Sequence, residues 1–184
     1  MKNFRSVLAT ILMGSVCHGL FAADYYCAPG ANGSGTESDP GDVISAVKKI
    51  GAGETIYLKE GVYKFSSTIL IEEENSGTAG KLKTIKPVEG AEVVLDFSGQ
   101  SAGASNRGFV LDGDYWHFYG FTITNAGDNG MLLSGSNNII EMMVFDDNED
   151  TGLQISRYNT SNTTLASWPS NNLVKNCTSK NNCD

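Results

Sequence analysis

The chain has 184 residues, 40% of them hydrophobic, with 21 acidic against 13 basic residues and a formal net charge of −8. That size and apolar content suit one domain with a sizeable core, and the acidic balance argues against nucleic acid or an anionic membrane as partner. It would repel an acidic polysaccharide as well, unless a divalent cation bridged the two.

Residues 1–23 read as a secretory signal peptide. Lys2 and Arg5 form a basic start, 6–20 is mostly apolar, and Phe21-Ala22-Ala23 precedes a polar chain, a stretch too short for a spanning helix. Val16 directly before Cys17 is a poor fit to a lipoprotein signal. Removing this leader leaves 11 basic against 21 acidic residues, a net charge of −10, and an exported location, extracellular or periplasmic. Three cysteines then remain, Cys27, Cys177 and Cys183. An odd count means at least one unpaired thiol or an absent partner, and sequence alone leaves a Cys177–Cys183 pair open.

The mature start, from Asp24 through Cys27 to Pro40, reads as a strand and a Gly/Ser-rich loop. Asp42 then offers an N-cap for a short amphipathic helix over 43–50, with Val43, Ile44, Val47 and Ile50 as its apolar face. Such a helix suits the open end of a solenoid, which must be covered. Residues 51–61 follow as turn, strand over 55–58, and turn at Gly61. Further strands are expected over 68–71, 83–86 and 93–96.

From Gly108 the chain repeats. Gly108-Phe109-Val110-Leu111 recurs 22 residues on as Gly130-Met131-Leu132-Leu133, and after a further 22 as Gly152-Leu153-Gln154-Ile155. Likewise 117–129 falls on 139–151, and a third copy, 173–184, is displaced by 34 because extra residues precede it. Apolar residues form columns: Phe109, Met131, Leu153; Leu111, Leu133, Ile155; Phe118, Ile140, Val174; Phe121, Met143, Cys177; Ile123, Phe145, Ser179. Tyr119, Glu141 and Lys175 share an outward column, and Thr122, Val144 and Thr178 another. Short strands separated by corners at this period predict a right-handed parallel β-helix of about 22-residue coils. The fold class is all-β with a short capping helix, in a single domain over 24–184 that is expected to be the N-terminal part of a longer solenoid.

The corners repeat too. Asn137-Asn138 falls on Asn171-Asn172, Asn125 on Asp147 and Asn181, and Ala126 on Asn148 and Asn182. These residues suit left-handed corners and axial amide ladders rather than catalysis. Asp128, Asp150 and Asp184 form an aspartate column that could share a cation, but Asp is also a corner residue, and the corner role is favoured. Asp146-Asp147 and Glu149-Asp150 add negative charge suited to weak calcium binding.

The insertion at 157–170 carries Arg157, Tyr158 and Trp168. An aromatic ring can stack on a sugar and an arginine fork can pair with a uronate, while decoration with no ligand is equally compatible. His117 aligns with Ile139 and Leu173, which favours a packed position over a catalytic base. No Ser-His-Asp or Cys-His arrangement, zinc spacing or phosphate loop is present.

Several motifs together resemble polysaccharide lyase family 9, the pectate and exopolygalacturonate lyases. They are Thr55-Ile56-Tyr57-Leu58-Lys59-Glu60-Gly61-Val62-Tyr63, Asn75-Ser76-Gly77-Thr78-Ala79-Gly80-Lys81 and Gly113-Asp114-Tyr115-Trp116-His117-Phe118. Asn125-Ala126-Gly127-Asp128-Asn129-Gly130, Asp150-Thr151-Gly152-Leu153-Gln154-Ile155 and Trp168-Pro169-Ser170-Asn171-Asn172 complete the set. The resemblance runs from about Tyr25 to the last residue. It implies β-elimination on polygalacturonate, with Ca2+ held by aspartates against the uronate carboxylate and a lysine removing the C5 proton. In that family those aspartates and that lysine lie in coils following residue 184. No position here matches them, so no catalytic, metal or substrate-binding residue is assigned, and Lys81, Lys83 and Lys175 are not substitutes.

The expectation is therefore a secreted, monomeric pectate lyase acting on pectin, with residues 1–184 inactive alone. Two alternatives stand beside it: a β-helix enzyme acting on another acidic polysaccharide, and a non-catalytic adhesin or glycan-binding solenoid. An aspartate cluster in the next coils followed by a lysine on the same face separates the first from the last. Endo or exo cleavage, methylation preference and pH optimum are not encoded legibly in these residues.

Overall fold

The computed structural model describes residues 24–161 and 163–183. The leader expected at 1–23 lies outside the described residues, as does Asp184 of the aspartate column. Strand β1 (Tyr25–Cys27) is followed by a loop and then by helix α1 (Val43–Lys49). Asp42 caps the helix as expected, its Oδ1 accepting from the Ser45 N–H at 2.8 Å and satisfying a donor that the helix start would leave orphaned. Val43, Ala46, Val47 and Ile50 are buried, whereas Ile44 is 39% exposed. At about 100° per residue, 43, 46, 47 and 50 share one narrow face and 44 falls at its margin. The helix packs on β1 and on β4 (Ile69–Ile71), so it covers the first coil.

The chain then winds through three parallel sheets. The first coil adds β2 (Thr55–Leu58) and β3 (Gly61–Lys64) before β4. The second supplies β5 (Lys83–Pro87), β6 (Val93–Asp96) and β7 (Phe109–Leu111), and the third β8 (Trp116–Tyr119), β9 (Thr122–Thr124) and β10 (Met131–Leu133). The fourth holds β11 (Ile139–Glu141), β12 (Val144–Asp146) and β13 (Leu153–Ile155), followed by β14 (Leu173–Lys175) and β15 (Thr178–Lys180). One sheet has six strands in the order β1-β2-β5-β8-β11-β14, one has five in the order β3-β6-β9-β12-β15, and one has four in the order β4-β7-β10-β13. Gly61, expected to be a turn, instead opens β3, at φ 130°, and sends Tyr63 inward while Val62 stays half-exposed.

The repeat columns are the observed register. Met131 pairs with Phe109 and Leu153, Ile140 with Phe118 and Val174, and Phe145 with Ile123 and Ser179. Inside, aromatic rings run across the coils: Phe65 stacks on Phe97 at 4.9 Å, Phe97 meets Phe109 at 6.1 Å, and Phe109 meets Phe118 edge-on at 5.3 Å. Gly108 and Gly130 are required by how closely successive coils approach. A Cβ on Gly108 would lie 2.4 Å from the Gly130 carbonyl oxygen, and one on Gly130 2.7 Å from that of Gly152.

The corners also follow expectation. Asn125, Asp147 and Asn181 all have positive φ, as do Asn137 and Asn171. Beside them run amide ladders. The Asn148 side chain accepts from the Ala126 N–H at 3.1 Å and donates to Asn182 Oδ1 at 2.8 Å. Cys27, Cys177 and Cys183 are all free, so the Cys177–Cys183 pair is not formed. Cys177 packs against the core as its column requires, and burial, with a smaller push from Asp42, raises the Cys27 thiol to about 12.

Asp96 at the end of β6 carries a pH-dependent part of this scaffold. Burial alone would raise its carboxyl, but the Lys64 ammonium, the Ser98 N–H and the Asn125 amide bind the ionised form and hold it down at about 2. A depressed native pKa stabilises the fold above the unfolded value of about 3.9, and that contribution is lost as pH falls from there towards 2. Asp96→Asn is therefore expected to flatten the acid limb of a stability-against-pH curve between about pH 4 and 2, read by urea unfolding. An unchanged acid limb would remove Asp96 from the account.

Candidate functional site: the groove under the β13 to β14 loop

The corner between the four-stranded and six-stranded sheets is built from two stacked turns. Asp112, Gly113 and Asp114 follow β7, and Ser134, Gly135 and Ser136 sit one coil on, after β10. Gly135 lies so close that a Cβ would meet the Gly113 carbonyl oxygen at 2.2 Å. This stacking turns the serines towards the aspartates. The Ser134 hydroxyl donates to Asp112 Oδ1 at 2.6 Å, and the Ser136 N–H donates to Asp114 Oδ1 at 2.6 Å. The hydroxyls of both serines pin the two ends of the insertion, because the Tyr158 N–H donates to Ser134 Oγ at 2.8 Å and the Ser170 N–H to Ser136 Oγ at 3.0 Å.

The insertion arches over these turns and encloses a groove of about 300 Å³. Asp112, Asp114, Ser134 and Ser136 form part of its lining, with Glu73 from a short 3-10 turn and Arg157 and Trp168 from the insertion. The structure thus unites Arg157 and Trp168 as a binding face would require, but with a different geometry from the uronate fork considered above. The guanidinium lies 4.7 Å from the Trp168 ring centroid, stacked on the indole. Glu73 could not be found by sequence reasoning, because it enters from the first coil through a loop outside the regular repeat.

The two described members of the aspartate column, Asp128 and Asp150, bind neighbouring main-chain and side-chain donors. Asp128 Oδ2 accepts from the Ser105 N–H at 2.8 Å and from Arg107 Nε at 3.3 Å, and Asp150 Oδ2 accepts from Asn129 Nδ2 at 3.1 Å. Asn181 and Lys180 hold the Asp146 carboxyl below the usual carboxylate range. No group of three His, Cys, Asp or Glu side chains among the described residues is arranged to hold a metal ion. His117 is partly buried, as its column predicts. Its Nε2 lies 3.0 Å from Glu141 Oε2, and Lys175 Nζ lies 2.9 Å from Glu141 Oε1. Lys83 is 5% exposed with its Nζ 5.5 Å from the Trp116 ring centroid, and burial lowers its pKa, partly offset by Glu54. Neither lysine lines the groove.

Comparison with known proteins places this architecture. Residues 25–184 match the family described as Pel9A-like, right handed beta helix region. The chain is similar to a protein named pectate lyase L from Paenibacillus polymyxa (strain SC2), with 45% identity over 167 residues, covering 90% of this chain and 37% of that protein. A pectate lyase L from Dickeya dadantii (strain 3937) is 32% identical over 177 residues, covering 91% of this chain and 42% of the relative. Among solved structures, pectate lyase Pel9A superposes with a TM-score of 0.70 at 32% identity, covering 83% of this chain and 38% of that one. A rhamnogalacturonan lyase shares the fold alone, with a TM-score of 0.65 at 16% identity. The chain therefore spans less than half the length of the two pectate lyase L proteins and of Pel9A. From β1 through the last described coil, the family match and the winding of the sheets coincide, and the chain belongs to the Pel9A-like right-handed β-helix family as a pectate lyase-like protein of polysaccharide lyase family 9.

Proposed function

We propose that the whole protein is a secreted, monomeric pectate lyase that cleaves polygalacturonate by calcium-assisted β-elimination, with residues 1–23 as its export signal. The observation that carries this reading is 45% identity to a pectate lyase L over 90% of the chain. β-Elimination on a uronate needs the C5 proton made acidic, a base to remove it, and departure of the glycosidic oxygen from C4. A bound calcium ion supplies the first by neutralising the uronate carboxylate. In this reading the carboxylates that hold it and the lysine base belong to coils other than those of 24–184.

What this chain contributes is architecture. The helix α1 packs on β1 and β4 at one end of the solenoid, and the three sheets set the axial register of its coils. The described residues contain no helix long and apolar enough to cross a membrane. The test uses the full-length protein with polygalacturonate and calcium, following the ultraviolet absorbance of the unsaturated product. Product should accumulate and should vanish with a chelator. Absence of product on every pectic substrate, esterified or not, would overturn the lyase reading.

A further inference from the structure

We propose that the groove beneath the β13 to β14 loop binds an uncharged pyranose ring bearing adjacent hydroxyls and discriminates against the uronate form of the same sugar. This goes beyond the lyase reading, which supplies only the galacto configuration of the probes below. The groove holds about 300 Å³, at the lower end of small-ligand pockets and suited to a sugar ring rather than a long chain.

Its chemistry is that of a hydroxyl acceptor. Asp112 and Asp114 each use Oδ1 to accept from the turn one coil on, which fixes the direction of the carboxylate and leaves its second oxygen for a ligand. An ionised carboxylate only accepts hydrogen bonds, and the neighbouring hydroxyls of a pyranose are donors that fit it. Glu73 adds a third acceptor. A uronate brought here would set its own carboxylate against three others, with Arg157 as the one basic group among the described lining residues. That guanidinium is stacked on Trp168 and so holds the indole in place at the groove.

Trp168 provides the apolar half of the site. It is 46% exposed, although its loop is pinned at both ends by the Ser134 and Ser136 hydroxyls. A half-exposed indole on an anchored loop, beside fixed acceptors, can stack on the C–H face of a sugar while the carboxylates take its hydroxyls. The shared chemistry is an uncharged ring with a diol, which either a neutral hexose or a methyl-esterified uronate supplies.

The experiment titrates the full-length protein, in chelator so that elimination is silent, with three trisaccharides of one configuration. These are a neutral galactotriose, fully methyl-esterified trigalacturonate and trigalacturonate. Binding is read by calorimetry and by tryptophan fluorescence, where Trp168 is exposed and Trp116 is fully buried. At least one uncharged ligand should bind about tenfold more tightly than the acid, and whichever does so identifies the source. Trp168→Ala should abolish that binding. Asp114→Asn, which keeps an oxygen for the Ser136 N–H, should narrow the gap between uncharged and acidic ligands. Equal or tighter binding of trigalacturonate, no binding of any of the three, or an unchanged affinity in Trp168→Ala would each overturn the proposal. Because none of these readouts depends on product formation, they stand or fall separately from the lyase assay.

Discussion

Replacing Asn138 with alanine should lower the unfolding free energy by about 3 kcal/mol, while the same loss at its neighbour Asn137, taken to glycine, should cost under about 0.5 kcal/mol. The two asparagines are adjacent in sequence and differ in purpose. Asn138 is fully buried, and its side chain serves two main-chain groups of the preceding coil. Its Oδ1 accepts from the Trp116 N–H at 2.7 Å, and its Nδ2 donates to the Gly113 carbonyl at 3.1 Å. Alanine orphans both in a corner that water does not reach, at about 1–3 kcal/mol per group before relaxation. Asn137 is selected mainly for its backbone, at φ 60°, and its side chain makes only a long 3.4 Å contact with Asn171. Glycine adopts that conformation without steric cost. Urea unfolding of the full-length protein, followed by circular dichroism, measures both. If Asn138→Ala cost no more than Asn137→Gly, the buried ladder would not be a source of stability.

Phe118→Ala should be the most damaging single truncation, at about 4 kcal/mol, with Phe118→Leu nearer 1 kcal/mol. Phe118 is fully buried at the meeting of three aromatic neighbours, with ring centroids 5.3 Å from Phe109, 6.1 Å from Trp116 and 6.0 Å from Phe121. Phe109 and Trp116 belong to strands whose registers are fixed by pairing with neighbouring coils, and Phe121 lies in the short link between β8 and β9, so they cannot close over a cavity without breaking ladders. Leucine retains most of the volume and loses chiefly the edge-on ring contacts. A thermal melt of the two variants gives the comparison. An alanine variant as stable as the leucine one would mean that the core relaxes far more than its ladders suggest.

How much of this was visible in the sequence depends on loop length. Between β7 and β13 the corners are short, so equivalent residues recur at 22 and the columns can be read directly. Earlier coils have the same path but different steps. Thr55 pairs with Thr84 and Thr84 with His117, separations of 29 and 33 residues, and no fixed period shows. Strand β3 was missed because its one inward side chain, Tyr63, cannot display an alternation, and Gly61 argued for a turn. The floor of the groove was half legible. Asp112 lies 22 before Ser134 and Asp114 22 before Ser136, so their contact follows from the repeat, as does the pinning of Ser170 over Ser136. Stacking of Arg157 on Trp168 has no such signal, since both sit in residues that interrupt the period.

The steps between stacked strands bear on how the molecule is made. From β5 onward every strand finds a partner in the coil just before it, so none of these strands must wait for a distant part of the chain. The 34-residue step across the insertion exceeds the 22-residue one by a closure entropy of only about 0.4 kcal/mol. Structure can therefore grow outward from the capped first coil, one winding at a time. A chain synthesised amino end first would meet its templates in the order in which it emerges, and an insertion at a corner would delay a winding without misdirecting it.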